Sequence, residues 1–86
     1  MFELIRFHAT WCQPCKQLAP IVAQIEADLE DLIVTSVDVD TDPDAAIKYS
    51  IMSVPTLVLL KDGEPVQRVS GFQTRDRILA IINSAR

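Results

Sequence analysis

The chain has 86 residues, 49% of them hydrophobic and 23% charged, which fits one small globular domain with a core near the lower limit for unassisted stability. Eight Lys and Arg against 12 Asp and Glu leave a net charge of −4, a sign that repels phosphate backbones and anionic lipid and argues against nucleic-acid or membrane-surface binding. Two glycines and five prolines exclude a linker or a fibre, and two cysteines are too few for the staple framework of a small secreted domain.

Phe2 to His8 reads as a strand, with Phe2, Leu4, Ile5 and Phe7 placing apolar groups on both faces, the pattern of a strand buried inside a sheet. The segment is too short and too interrupted for a signal sequence. No run approaches the ~20 apolar residues that cross a bilayer. A reducing, cytoplasmic setting is therefore expected. From Cys12 to about Glu30, Leu18, Ile21, Val22, Ile25 and Leu29 recur at helical spacing, with Pro20 expected to kink the helix. Leu32 to Val39, rich in Val and Ile, is the second strand.

Asp42-Pro43-Asp44 combines an N-cap side chain, a proline at the first helical position and a carboxylate facing the helix dipole. The short helix it starts should end near Tyr49. Thr56 to Leu60 is a strand, Asp62-Gly63 is a strong hairpin turn signal, and Val66 to Ser70 is the return strand. Thr74 can cap a last helix whose Ile78, Leu79, Ile81 and Ile82 form one apolar stripe. The order β-α-β-α-β-β-α implies an α/β domain spanning 1–86. Its first two strands should be parallel, its hairpin antiparallel, and its helices should cover both faces.

The two cysteines lie in Trp11-Cys12-Gln13-Pro14-Cys15-Lys16, where the first strand hands over to the first helix. Cys12 falls at the helix N-terminus, where unpaired amides and the positive dipole end favour a thiolate, the attacking species in disulfide exchange. Cys15 is one turn on and close enough to bond to it. Pro14 fits, because the first turn leaves its missing amide unpaired anyway. A purely structural staple is a weak alternative, since so short a loop restricts little of the unfolded chain. A zinc or iron–sulfur site would need four ligands where Cys12, Cys15 and His8 are on offer. Asp38, Asp40, Asp42 and Asp44 superficially suggest a calcium loop, but Pro43 and Tyr49 occupy its required Gly and Glu positions. His8 is either structural or a proton carrier near Cys12.

Taken together, Trp-Cys-x-Pro-Cys-Lys, Pro20, the run Tyr49-Ser50-Ile51-Met52-Ser53-Val54-Pro55-Thr56, the Lys61–Glu64 hairpin and Gly71 resemble the thioredoxin family along the whole chain. The resemblance implies a minimal four-stranded thioredoxin fold lacking the usual leading strand and helix, so the edge beside Leu32–Val39 should be unusually exposed. It also implies a cis Pro55 against the cysteines. Trp11, Pro14, Val39, Val54, Gly71 and Phe72 would then form the rim that binds a target, with Val54 offering backbone groups to an extended substrate.

Two departures stand out. The family usually has a buried Asp six residues before the first cysteine, paired with a Lys on the neighbouring strand; here the positions hold Arg6 and Ser36. A cation there would favour thiolates, unless Arg6 is neutralised by Asp38. Gln13 replaces the usual Gly between the cysteines, and it and Arg6 are the expected tuning residues.

The expected function is reduction or exchange of protein disulfides through Cys12 as nucleophile and Cys15 as resolving thiol. It would need no metal or organic cofactor, with thioredoxin reductase or the glutathione system as electron donor. The protein is expected to act as a monomer. A glutaredoxin-like enzyme and a non-catalytic binding module of the same fold are the alternatives. Trp11 and Pro14 favour thioredoxin, and Ser70-Gly71 stands where a glutaredoxin usually has Gly-Gly.

Overall fold

Strand β1 (Phe2–His8) is the strand that the others are built around. It is paired on both sides in a four-stranded sheet of order β2-β1-β3-β4. The computed structural model describes all 86 residues. β2 (Leu32–Asp38) runs parallel to β1, while β3 (Thr56–Lys61) is antiparallel to β1, and β4 (Glu64–Ser70) antiparallel to β3.

Helix α1 (Gln13–Asp28) connects β1 to β2 and α2 (Pro43–Lys48) connects β2 to β3, with α3 (Arg75–Ser84) closing the chain. α1 continues through Pro20. Asp42 and Thr74 cap α2 and α3 as their side chains allow, accepting the amides of Ala45 and Arg77, each at 3.2 Å.

Because side chains alternate along a strand, β1 serves two cores. Phe2 and Leu4 join Leu57 and Leu59 of β3 beneath Leu18, Val22 and Ile25 of α1 and Ile78 and Ile82 of α3. Ile5 and Phe7 join Val58 and Leu60 on the opposite face, with Ala45 of α2 and Tyr49 packed against them. This is the three-layer α/β arrangement, with helices on both faces of a mixed sheet.

The β3–β4 hairpin starts earlier than its apolar residues suggest. β4 begins at Glu64 and includes Pro65, with a register shift between Leu59 and Leu60. Pro65 is tolerated because β4 is an edge strand. The two-residue turn has φ of +51° at Asp62 and +86° at Gly63, the doubly positive turn that matches the twist of the flanking strands.

Burial pushes the His8 imidazole below its ordinary value of 6.5, Arg6 adds repulsion, and Asp38 partly opposes both. The unfolded chain therefore binds this proton more tightly than the folded one. His8 contributes its stability above 6.5, and that contribution is lost as pH falls below it. Between pH values of about 7.5 and 5.5, wild type should lose more urea resistance than His8→Gln; equal losses would show that His8 is not the group responsible. Leu18 is 0% exposed between α1 and the sheet, and Leu18→Ala should cost about 2–5 kcal/mol in urea denaturation. A cost well under 1 kcal/mol would mean that this layer is loosely packed.

Candidate active site

The sheet delivers the cysteines to the place where β1 ends. His8 accepts the amide of Val39 at 2.9 Å through its carbonyl, which keeps β1 and the chain leaving β2 side by side. Ala9 turns the chain, its carbonyl accepting the Cys12 amide at 3.2 Å, and α1 begins at once. Cys12 is the N-cap residue, with extended backbone, and its Sγ accepts the Cys15 amide at 3.2 Å. The sulfur thus occupies the place that a Ser or Asp oxygen takes in an ordinary cap.

Cys12 and Cys15 are joined as a disulfide with Cα atoms 5.3 Å apart. They are 4% and 2% exposed and form a small cluster with Ala9, against which Val39 and Val54 pack. The pair is therefore screened from water yet only one residue from a fully surface-borne side chain, Trp11, which is 67% exposed. The Trp11 indole Nε1 donates to the Asp40 carboxylate at 3.0 Å. This bond fixes the ring beside the cysteines although little packing holds it.

On the opposite side, the Val54–Pro55 peptide is cis. Pro55 is buried, and its carbonyl accepts the Gly71 amide at 2.8 Å. Gly71 has φ of +87° with open space where a Cβ would project, so backbone conformation and not crowding calls for glycine. Thr56 strengthens the same junction, its hydroxyl bonding the Ser53 carbonyl at 2.7 Å and the Ser70 hydroxyl at 3.2 Å.

Trp11, Val39 and Val54 line a shallow groove of about 160 Å³, completed by Ala46, Ile51, Met52 and Ser53. None of the last four was among the rim residues expected from the sequence. Met52 is 95% exposed, and its only advance signal was its place in the run Tyr49–Thr56 that carries the family resemblance. Phe72 is also exposed but is not part of the groove lining, and Pro14 and Gln13 lie on the surface of the first turn of α1.

Arg6 does not reach Asp38. Its guanidinium donates to the Ser36 hydroxyl at 3.2 Å, while the Asp38 carboxylate turns back to accept the Asp40 amide at 2.9 Å. Closing the loop after β2 uses the carboxylate that could have neutralised the arginine. No three His, Cys, Asp or Glu side chains converge in a way that could hold a metal ion.

A buried pair of cysteines on a helix N-terminus, facing a cis-proline loop beside an apolar groove, is an arrangement for thiol–disulfide exchange. The thioredoxin family model matches residues 2–84. Thioredoxin of Staphylococcus aureus is 43% identical over 82 residues, covering 94% of this chain and 79% of that one. A mutant thioredoxin from Halobacterium salinarum superposes with a TM-score of 0.90 at 41% identity, covering 96% of this chain and 73% of that one. Fasciola hepatica thioredoxin gives 0.92 at 34% identity, covering 99% and 81%. With matching fold, cysteine pair and sequence, the chain belongs to the thioredoxin family and is a dithiol–disulfide oxidoreductase working through Cys12 and Cys15.

Proposed function

We propose that Cys12 is the attacking thiolate and Cys15 the resolving one, acting on protein disulfides in the cytoplasm, with thioredoxin reductase returning the electrons. The observation that carries the assignment is the cap: Cys12 Sγ already accepts the Cys15 amide. In the dithiol state the same amide and the positive end of α1 favour negative charge on that sulfur.

The reaction runs in two exchanges. Cys12 thiolate attacks one sulfur of the substrate disulfide, forming a mixed disulfide and expelling the other sulfur as a thiolate that takes up a proton. Cys15, deprotonated, then attacks Cys12 Sγ. The mixed bond breaks, the second substrate thiol leaves, and the Cys12–Cys15 bond forms. The substrate gains two electrons and the protein loses two.

An extended substrate segment fits alongside Val54, whose N–H and C=O make no backbone hydrogen bond within the chain. Trp11, Val39, Met52 and Val54 supply apolar contact on that side, and Pro14, Pro55, Gly71 and Phe72 extend the rim. Arg6 and Gln13 act as tuning residues: neither holds the substrate, and Arg6 places an unneutralised cation on the strand that leads to the cysteines.

Cys12→Ser should abolish reduction of insulin disulfides, whereas Cys15→Ser should stall as a covalent adduct released by dithiothreitol. Full activity in the first variant, or no adduct in the second, would overturn the assignment of roles. Recycling of the oxidised protein by glutathione but not by thioredoxin reductase would overturn the proposed electron donor. Met52→Ser should raise KM for protein substrates about three- to tenfold, the scale of a lost half-buried apolar contact, and a loss confined to kcat would remove Met52 from the docking surface.

A further inference from the structure

Arg68 stands in β4 opposite Val58 of β3. Opposite residues of an antiparallel pair share a face of the sheet, so Arg68 lies on the face that carries Ile5, Phe7 and Val58 and that α2 covers. Its guanidinium makes no ion pair. Instead it spans the distance to the end of α2, donating through Nη2 to the Tyr49 carbonyl and through Nη1 to the Ser50 carbonyl, the latter at 3.4 Å. One planar fork thus holds two consecutive peptide groups that lie 19 and 18 residues away in the chain. A lysine, with its single point of charge, grips such a pair less firmly.

Those two carbonyls lack other partners because of how α2 ends. The Ser50 amide bonds the Ile47 carbonyl at 3.0 Å and the Ile51 amide bonds the Ala46 carbonyl at 2.8 Å, the pair of bonds that closes a helix through a left-handed residue. Ser50 is that residue, with φ of +56°, where glycine is usual because a Cβ is crowded. The carbonyls of Tyr49 and Ser50 are left over and accept no backbone amide. Next come Ile51, Met52, Ser53 and Val54, one wall of the groove. The amides of the last three have no backbone acceptor within the chain. Downstream this stretch is fixed by Thr56, whose hydroxyl bonds the Ser53 carbonyl at 2.7 Å. Upstream, the fixed point is Arg68.

We propose that Arg68 is a positioning residue of the exchange site. By gripping the Tyr49 and Ser50 carbonyls it holds Ser50 in its left-handed conformation, and so sets where Ile51 and Met52 stand in the groove that Trp11 also lines. The inference rests on the reading that a protein substrate docks in this groove. Arg68 is not itself part of the groove lining; it acts through the loop. β4 then anchors the loop at both ends, since the Ser70 hydroxyl bonds Thr56 and the Gly71 amide bonds Pro55. A wall without internal hydrogen bonds opens cheaply. Each conformation it samples besides the docking one lowers the apparent affinity by the fraction of time spent there. Loss of Arg68 is therefore felt in docking and not in the attack by Cys12.

Arg68→Gln should raise KM for insulin about two- to tenfold, the scale of lost hydrogen bonds at an exposed site, with kcat little changed. The second-order rate at which the reduced variant reacts with hydroxyethyl disulfide, too small to span the groove, should match wild type. Hydrogen exchange should quicken at the Ser50 and Ile51 amides and stay unchanged at the centre of β1. Arg68→Lys, which keeps the charge without the fork, should fall between wild type and Arg68→Gln. An unchanged KM in Arg68→Gln, beside a raised KM in Met52→Ser, would overturn the role of Arg68 and leave groove docking intact. An unchanged KM in both variants would overturn the docking reading and this proposal with it. A loss shared by hydroxyethyl disulfide, or exchange that quickens equally in β1, would make Arg68 a support of the whole fold and would also overturn the proposal. If Arg68→Gln fails to fold by circular dichroism, Arg68→Lys decides alone: a KM raised about twofold or more with the small-disulfide rate kept supports the proposal, and an unchanged KM overturns it.

Discussion

Everything at the redox site depends on β1 being held on both sides. A strand paired with β2 in parallel and β3 in antiparallel fashion has no freedom to slide, and its apolar residues are split between two cores that would both be lost by a one-residue slip. The chain must therefore leave the sheet at His8, and the next helix must begin within a few residues. Cys12 becomes the cap because the turn at Ala9 leaves it there. The electrostatics of the cysteine follow from that position, since the unpaired amides of the first turn point at whatever side chain the cap presents. The chemistry is thus a consequence of strand pairing several residues away.

The same strand ends organise the other half of the site. β3 begins directly after Pro55 and β4 ends one residue before Gly71, so the antiparallel pairing of Thr56 with Ser70 brings the two loops together. The hydrogen bond from Gly71 to Pro55 closes the junction. Thr56 is a buried polar residue at its centre, and its hydroxyl is satisfied twice, as burial of such a group demands. The loops hold their shape because the strands behind them are registered, and the groove between Trp11 and Met52 inherits that shape.

The parts legible in the sequence were those decided locally. Asp42 and Thr74 announce their helices because a cap needs only its own side chain and an amide three residues on. The Asp62-Gly63 turn is equally local. The β1 pattern of apolar residues on both faces announced burial, and the cysteine spacing announced exchange chemistry. What the sequence concealed was set by the tertiary arrangement. The start of β4 at Glu64 was hidden because Pro65 argues against a strand unless its edge position is known. The choice of Arg6 for Ser36 over Asp38 depended on a loop closure that withdrew the carboxylate. The groove lining by Ile51 and Met52 emerged only with the tertiary arrangement that sets their loop beside Trp11. The cis peptide itself came from the family resemblance and not from any local signal, since most X–Pro bonds are trans.

The molecule divides its labour along the strand axis. The end of the sheet where β1 and β2 finish carries the cysteines, Trp11, Asp40 and the cis-proline loop, whereas the opposite end carries the Asp62-Gly63 turn, held to the chain's first residue by the ion pair of Met1 with Asp62.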